Sequence, residues 1–260
     1  MEEEEKHLYE HLEELRDRLI RILIAIGVIS VITLTLTIKE FDLGFIIYLP
    51  YPELGNNIAM QVIKVLTDTL VPENVELIQT APGQAFFAQL YVSLLLGVIV
   101  GMPIIVREII AFFAPALYEH ERKILKNITL PSIALFIVGA IFSYTLIIPF
   151  LLEFLYRYGE ALGILTFLNI TDFVTFILYF IIAFGISFQL PIIMYTVTKA
   201  EMVEPKFWRD NLRYAIIILV IFGAVITPDG SGVTMWFISL PMLALYVAGM
   251  LFIEVKMKKV

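Results

Sequence analysis

The 260-residue chain is 60% hydrophobic and 17% charged, with a mean hydropathy of +0.89, values outside the range of soluble globular domains. It reads as a polytopic membrane protein, and its net charge of −7 argues against nucleic acid as a partner. Cysteine is absent, which excludes disulfides, thiolate metal sites and thiol nucleophiles.

The chain opens on charge. In and around "HLEELRDRLI", Leu8, Leu12, Leu15 and Leu19 recur at helical spacing and form one apolar stripe. His11, Glu14 and Arg18 line one flank and Arg16 lies on the other, a pattern that predicts an amphipathic helix at the membrane interface. No charge follows from Ile22 to Ile38. This apolar run is too long for a signal-peptide core and no small-residue cleavage motif follows it, so it reads as a permanent span.

A helix needs about 20 apolar residues to cross a hydrocarbon core of about 30 Å. Six predicted spans meet or approach that length: 19–38, 85–106, 128–152, 173–198, 212–227 and 233–253. The connection 39–84 carries turn chemistry in "LPYPELGNN" and then the helix-compatible "IAMQVIKVLTDTL". Gly97 and Gly101 form a GxxxG in the second span that permits close helix approach. After it, "FFAPALYEHERKILKN" reads as a charged loop containing Glu119, His120, Glu121, Arg122 and Lys123. Aromatic Phe150, Phe154, Tyr156 and Tyr158 gather near the end of the third span, as rings do at headgroup depth.

In the fourth span, Gln189 stands two residues before Pro191 and requires a polar partner, either on a neighbouring span or on another protein. The fifth, Leu212 to Thr227, extends only about 24 Å at about 1.5 Å per residue. Asp229, in the turn "TPDGSG", is placed to cap the sixth span through backbone N–H groups. Pro103, Pro131, Pro149, Pro191 and Pro241 within or beside spans predict a kinked, curved bundle. The whole reads as an all-α protein forming one integral membrane domain over residues 1–260.

Lys6, Arg16, Arg18 and Arg21 precede the first span, and Arg107, Arg122, Lys123 and Lys126 follow the second. Lys199, Lys206, Arg209 and Arg213 flank the link between spans four and five, and Lys256, Lys258 and Lys259 end the chain. Fifteen of the eighteen basic residues therefore fall on one side, which predicts both termini in the cytoplasm.

The two charged clusters offer carboxylates beside apolar surface, suited to a ligand that is cationic and then hydrophobic, because a carboxylate accepts two parallel hydrogen bonds from arginine. Solvated local ion pairs are the plainer reading of the same residues. A small-solute or ion transporter fits six kinked spans but has only Gln189 as a midspan polar site. An intramembrane enzyme is disfavoured by the lack of Cys, HExxH and GxSxG.

"HLEELRDRLI", "FFAPALYEHERK", "AFGISFQLPIIMY", "FWRDNLRYAIII" and "VITPDGSGVTMWFISLP" resemble, in order and spacing, segments of the TatC family, the multispanning core of the twin-arginine protein translocase. The resemblance runs from about His11 to Tyr246. It implies a non-enzymatic six-helix protein of the cell membrane, with both termini cytoplasmic and neither cofactor nor metal. It further implies binding of the twin-arginine signal peptides of folded cargo and export driven by the proton-motive force. Implied partners are single-span TatA/TatB-type subunits in a homo- or hetero-oligomeric complex. Glu14 and Glu121 match the family's two arginine-binding glutamates, with Arg16, His120 and Arg122 beside them. Gln189 matches a polar partner-contact position that is often glutamate; glutamine cannot titrate. One proline rather than two precedes Asp229.

Overall fold

The computed structural model describes residues 2–42, 46–72, 75–113, 119–161, 163, 166–227 and 232–257. Within them the side chains of residues 2–8, 10, 40–42, 46–48, 110, 113, 119–127, 158 and 160 are not described. Among the described residues, five stretches are long and apolar enough to cross a membrane: His11–Thr35, Gln84–Ile109, Ile128–Arg157, Ile170–Lys199 and Val233–Met257. Leu212–Ile226, the predicted fifth span, is a shorter apolar helix.

The chain divides into two compact units, Met1–Phe113 with Leu155–Leu178, and Ala114–Phe154 with Tyr179–Val260. In the first unit, α1 (Glu2–Thr35) is one uninterrupted helix. The predicted interfacial helix is therefore not a separate element but the opening turns of the first span, because no proline or turn pair separates them. That span ends at Thr35 rather than residue 38, where the alternating Leu36–Thr37–Ile38 favours a strand. β1 (Leu36–Asp42) pairs antiparallel with β2 (Ile46–Pro52) from Leu36↔Pro52 to Asp42↔Ile46.

α2 (Ile58–Leu70) occupies the stretch read as helix-compatible. Ala59, Ile63, Leu66 and Leu70, spaced four, three and four, form its buried face. Its first turn is capped by Asn57, whose Oδ1 accepts from the Met60 N–H at 2.8 Å while Nδ2 donates to Gln89 Oε1 at 2.9 Å. β3 (Val75–Ile78) pairs in parallel with β4 (Thr166–Asn169). These two small strand pairs add to an otherwise helical chain.

α3 (Gln84–Phe113) runs antiparallel to α1, as contacts of Ser30 with Ser93 and of Arg18 with Glu108 require. Gly97 makes the close approach possible: a Cβ there would lie 2.7 Å from Ser30 Oγ and 2.8 Å from the Ile26 carbonyl. Small residues let helix backbones meet where lipid supplies no hydrophobic drive, and here one glycine of the GxxxG carries the contact.

In the second unit, α4 (Glu119–Phe142) continues into a π-helical turn at Ser143–Ile147 and then α5 (Ile148–Ala161), whose residues from Leu155 on belong to the first unit. The wider turn stands where the ring of Pro149 would otherwise press on the carbonyl four residues back. α6 (Ile170–Ser187), in the second unit from Tyr179, ends in a turn at Phe188–Gln189, and α7 (Leu190–Lys199) restarts with Pro191 in its first turn. By contrast, Pro103, Pro131 and Pro241 lie inside helices that continue through them.

The apolar packing of this unit centres on Phe136, Phe184 and Phe188. A Cβ on Gly185 would lie 2.5 Å from the Phe136 ring, so the glycine is the notch that receives it. α8 (Phe207–Asp210), α9 (Leu212–Ile226) and α10 (Val233–Met257) complete the unit. Trp208 fixes α8 by donating Nε1–H to Thr198 Oγ1 at 2.7 Å and accepting the Tyr246 hydroxyl at its carbonyl at 2.8 Å.

Candidate functional site

The helical spacing that put His11, Glu14 and Arg18 on one flank extends to Arg21, and α3 lays Glu108 and Phe112, one turn apart, against that flank. Arg18 lies between two carboxylates. Its Nη2 and Nε donate to Glu14 Oε1 at 2.5 and 3.1 Å, and its Nη1 donates to Glu108 Oε2 at 3.1 Å. Arg21 Nη1 approaches the same Glu108 oxygen at 3.4 Å. The Glu108 side chain is only 8% exposed, and these two guanidiniums compensate its buried carboxylate.

Glu14 is 32% exposed and its other oxygen, Oε2, lies 3.8 Å from His11 Nδ1. The His11 ring stacks on Phe112 with centroids 4.5 Å apart and planes 17° apart. An aromatic platform, two carboxylates and two arginines thus share one end of the α1–α3 pair. This grouping can meet a cationic side chain at Glu14 and an apolar one along the exposed leucines, Leu12, Leu15 and Leu19.

Arg16 stays outside the cluster. Its guanidinium pairs with Asp17 at 3.1 Å, both groups being more than half exposed, an arrangement worth little to stability. The backbone of residues 119–127 is helical, so Glu121 stands in the first turn of α4 rather than in a loop as predicted: the segment after Pro115 contains helix formers and no further breaker before Pro131. The side chains of His120, Glu121 and Arg122 lie outside the described residues, as does Asp229.

Gln189 is half-buried and its Nε2 donates to the Ser132 carbonyl of α4 at 3.0 Å, with the Gly185 carbonyl at 3.5 Å. At least one amide donor therefore serves an internal tie. Among the described residues no group of three or more His, Cys, Asp or Glu is placed to hold a metal ion.

Glu108 escaped the sequence reading. The predicted second span stopped at residue 106, which left Arg107 as a topology signal and Glu108 as loop. Continuing the helix through "REIIAFF" would have exposed the signal, a lone carboxylate one turn before Phe112 on an otherwise apolar helix.

Residues 10–241 match the family model described as "TatC: Sec-independent protein translocase protein (TatC)". The chain is 51% identical to the Sec-independent protein translocase protein TatC of Cenarchaeum symbiosum, over 96% of this chain and 95% of that one. It is 34% identical to the TatC of Aquifex aeolicus, over 92% and 91%. A crystal structure titled as the twin-arginine translocase receptor TatC superposes with a TM-score of 0.76 at 31% identity, covering 94% of this chain and 98% of the other. The chain therefore belongs to the TatC family of Sec-independent protein translocase proteins.

Proposed function

We propose that this chain is the core and signal-peptide receptor subunit of a twin-arginine translocase, exporting folded proteins across the cell membrane at the expense of the proton-motive force. The observation that carries the reading is the charged end of α1: Glu14 is a partly exposed carboxylate beside an aromatic ring and an apolar stripe, at the position that matches the family's first arginine-binding glutamate. Glu121 supplies the second carboxylate, and Arg16, His120 and Arg122 set the local charge around the pair.

Both units act as one integral domain. The fifteen basic residues assigned to one side support six crossings with both termini cytoplasmic. Single-span TatA/TatB-type subunits are the partners, with Gln189 at a partner contact and Asp229 holding the outer turn before α10. Recognition involves no covalent change, so the chain is a binding and conducting subunit rather than an enzyme. Nothing in the polar groups among the described residues favours the solute- or ion-transporter alternative.

The test is binding of a twin-arginine signal peptide and its twin-lysine counterpart to the full chain in lipid nanodiscs. Arginine's planar fork matches a carboxylate and lysine's point charge does not, so a preference of about tenfold, ~1.4 kcal/mol, is expected. Equal binding of the two peptides contradicts the reading.

A further inference from the structure

The geometry points to Glu108 as a positioning residue for Glu14, acting through the Arg18 guanidinium. The inference rests on Glu14 as a ligand contact. Glu14 and Arg18 are one turn apart on α1, and such a pair on a helix surface is ordinarily loose. Here Arg18 is 17% exposed and anchored from behind, because Nη1 is held by a carboxylate of α3. With that nitrogen fixed and the guanidinium planar, the directions of Nε and Nη2 are fixed as well. Both of those donate to Glu14 Oε1. Oε1 of Glu14 is thereby pinned and occupied, and Oε2, 3.8 Å from His11 Nδ1, is the oxygen left for a ligand.

Three further observations fit a relay rather than a simple helix tie. Glu108 is the most buried carboxylate of the cluster, and its 8% exposure leaves little surface for direct contact with a peptide. Arg21 approaches Glu108 from the next turn of α1, so Glu108 stays compensated by a second cation and Arg18 remains available to Glu14. Glu14 is the member of the chain Glu108–Arg18–Glu14 that is exposed enough to meet a ligand. A positioned acceptor matters for arginine in particular: a planar guanidinium can direct a converging pair of N–H bonds to Oε2 only when that oxygen is held in place, whereas a lysine ammonium donates to it from many orientations.

That asymmetry gives a readout that loss of helix packing alone does not move, the ratio of twin-arginine to twin-lysine peptide affinity. The full chain in nanodiscs is compared as wild type, Glu14→Gln, Glu108→Gln and the exchanged pair Arg18→Glu with Glu108→Arg, each also followed by thermal unfolding. Glu108→Gln is expected to reduce the affinity ratio about threefold or more, with twin-lysine binding nearly unchanged. The exchanged pair rebuilds an α1–α3 ion pair and recovers the unfolding midpoint, but it sets a carboxylate beside Glu14, so the ratio stays low. The inference is overturned if Glu108→Gln lowers the midpoint and leaves the ratio intact, or if the exchanged pair restores the ratio with the midpoint. Should Glu14→Gln itself leave the ratio unchanged, the assignment of Glu14 as a ligand contact fails and the inference falls with it; a collapse in Glu14→Gln without one in Glu108→Gln sinks the inference alone.

Discussion

Two of the polar ties between helices among the described residues are built differently. Between α1 and α3 the tie is ionic, a buried Glu108 against Arg18 and Arg21. Between α4 and the break that separates α6 from α7 it is neutral, the Gln189 amide on the Ser132 carbonyl. The ionic tie stands in the first turns of the span His11–Thr35, where the Arg21 stem can cover apolar surface while its head, 62% exposed, reaches toward water. The neutral tie stands deep in apolar sequence, where a charge lacks that escape and an amide can serve both lone pairs and protons left by an interrupted helix. Depth in the apolar stretch thus sets the chemistry, and the chemistry sets what a substitution costs.

The comparison breaks hardest at Arg18. Replacing it by Ala leaves a nearly buried Glu108 with only the longer Arg21 contact, so unfolding in detergent should fall by about 3–5 kcal/mol, the cost of stripping a buried charge of its partner. A loss under about 1 kcal/mol would mean that Glu108 does not depend on Arg18 as its partner. The apolar control is Gly185→Ala. Its Cβ would intrude on the Phe136 ring, and overpacking of this kind costs about 1–3 kcal/mol, read in the same unfolding assay. No change would mean that the ring has room to move.

Gln189→Leu comes next. Interhelical hydrogen bonds average about 0.6 kcal/mol and reach about 1.7, so the expected loss is smaller than at Arg18 by severalfold. Reduced crosslinking to a single-span partner with stability kept would support the partner contact proposed for Gln189, and lost stability with crosslinking kept would leave it an internal tie only. The smallest effect lies outside both ties, at Lys39 on the β hairpin, where Glu53 stands 2.6 Å from its ammonium and holds the lysine pKa above its ordinary value. A raised lysine pKa stabilises the folded form below the unfolded pKa and loses that stabilisation as pH rises through the folded one. Wild type should therefore converge on Lys39→Gln in stability only above about pH 10.4. Convergence near neutral pH would deny the ion pair a role.

How far the sequence could be read tracks how local each signal is. α2 was legible to its ends, because its apolar residues repeat at helical spacing and Asn57 caps it. The first span was overrun by three residues, since Leu36 to Ile38 are apolar enough for lipid and become a strand only by pairing with 46–52. Glu14 and Arg18 were legible as neighbours on one face, being four residues apart. Their third member was not: Glu108 is ninety residues from Arg18, and only the antiparallel packing of α3 on α1, admitted by Gly97, brings it there. Gln189 announced its need for a partner but not the partner, because the Ser132 carbonyl is backbone and carries no side-chain signature.

Under the proposed function, Glu14 and Glu121 each contribute to binding the paired arginines of a signal peptide. The most direct measurement is photo-crosslinking of the full chain in nanodiscs with a signal peptide carrying a photoreactive residue beside its two arginines, followed by mass mapping of the attachment sites. Adducts should fall on residues 9–18 and 119–123, and Glu14→Gln with Glu121→Gln should abolish them without altering the unfolding midpoint. Attachment concentrated elsewhere, or undiminished in the double variant, would contradict the account.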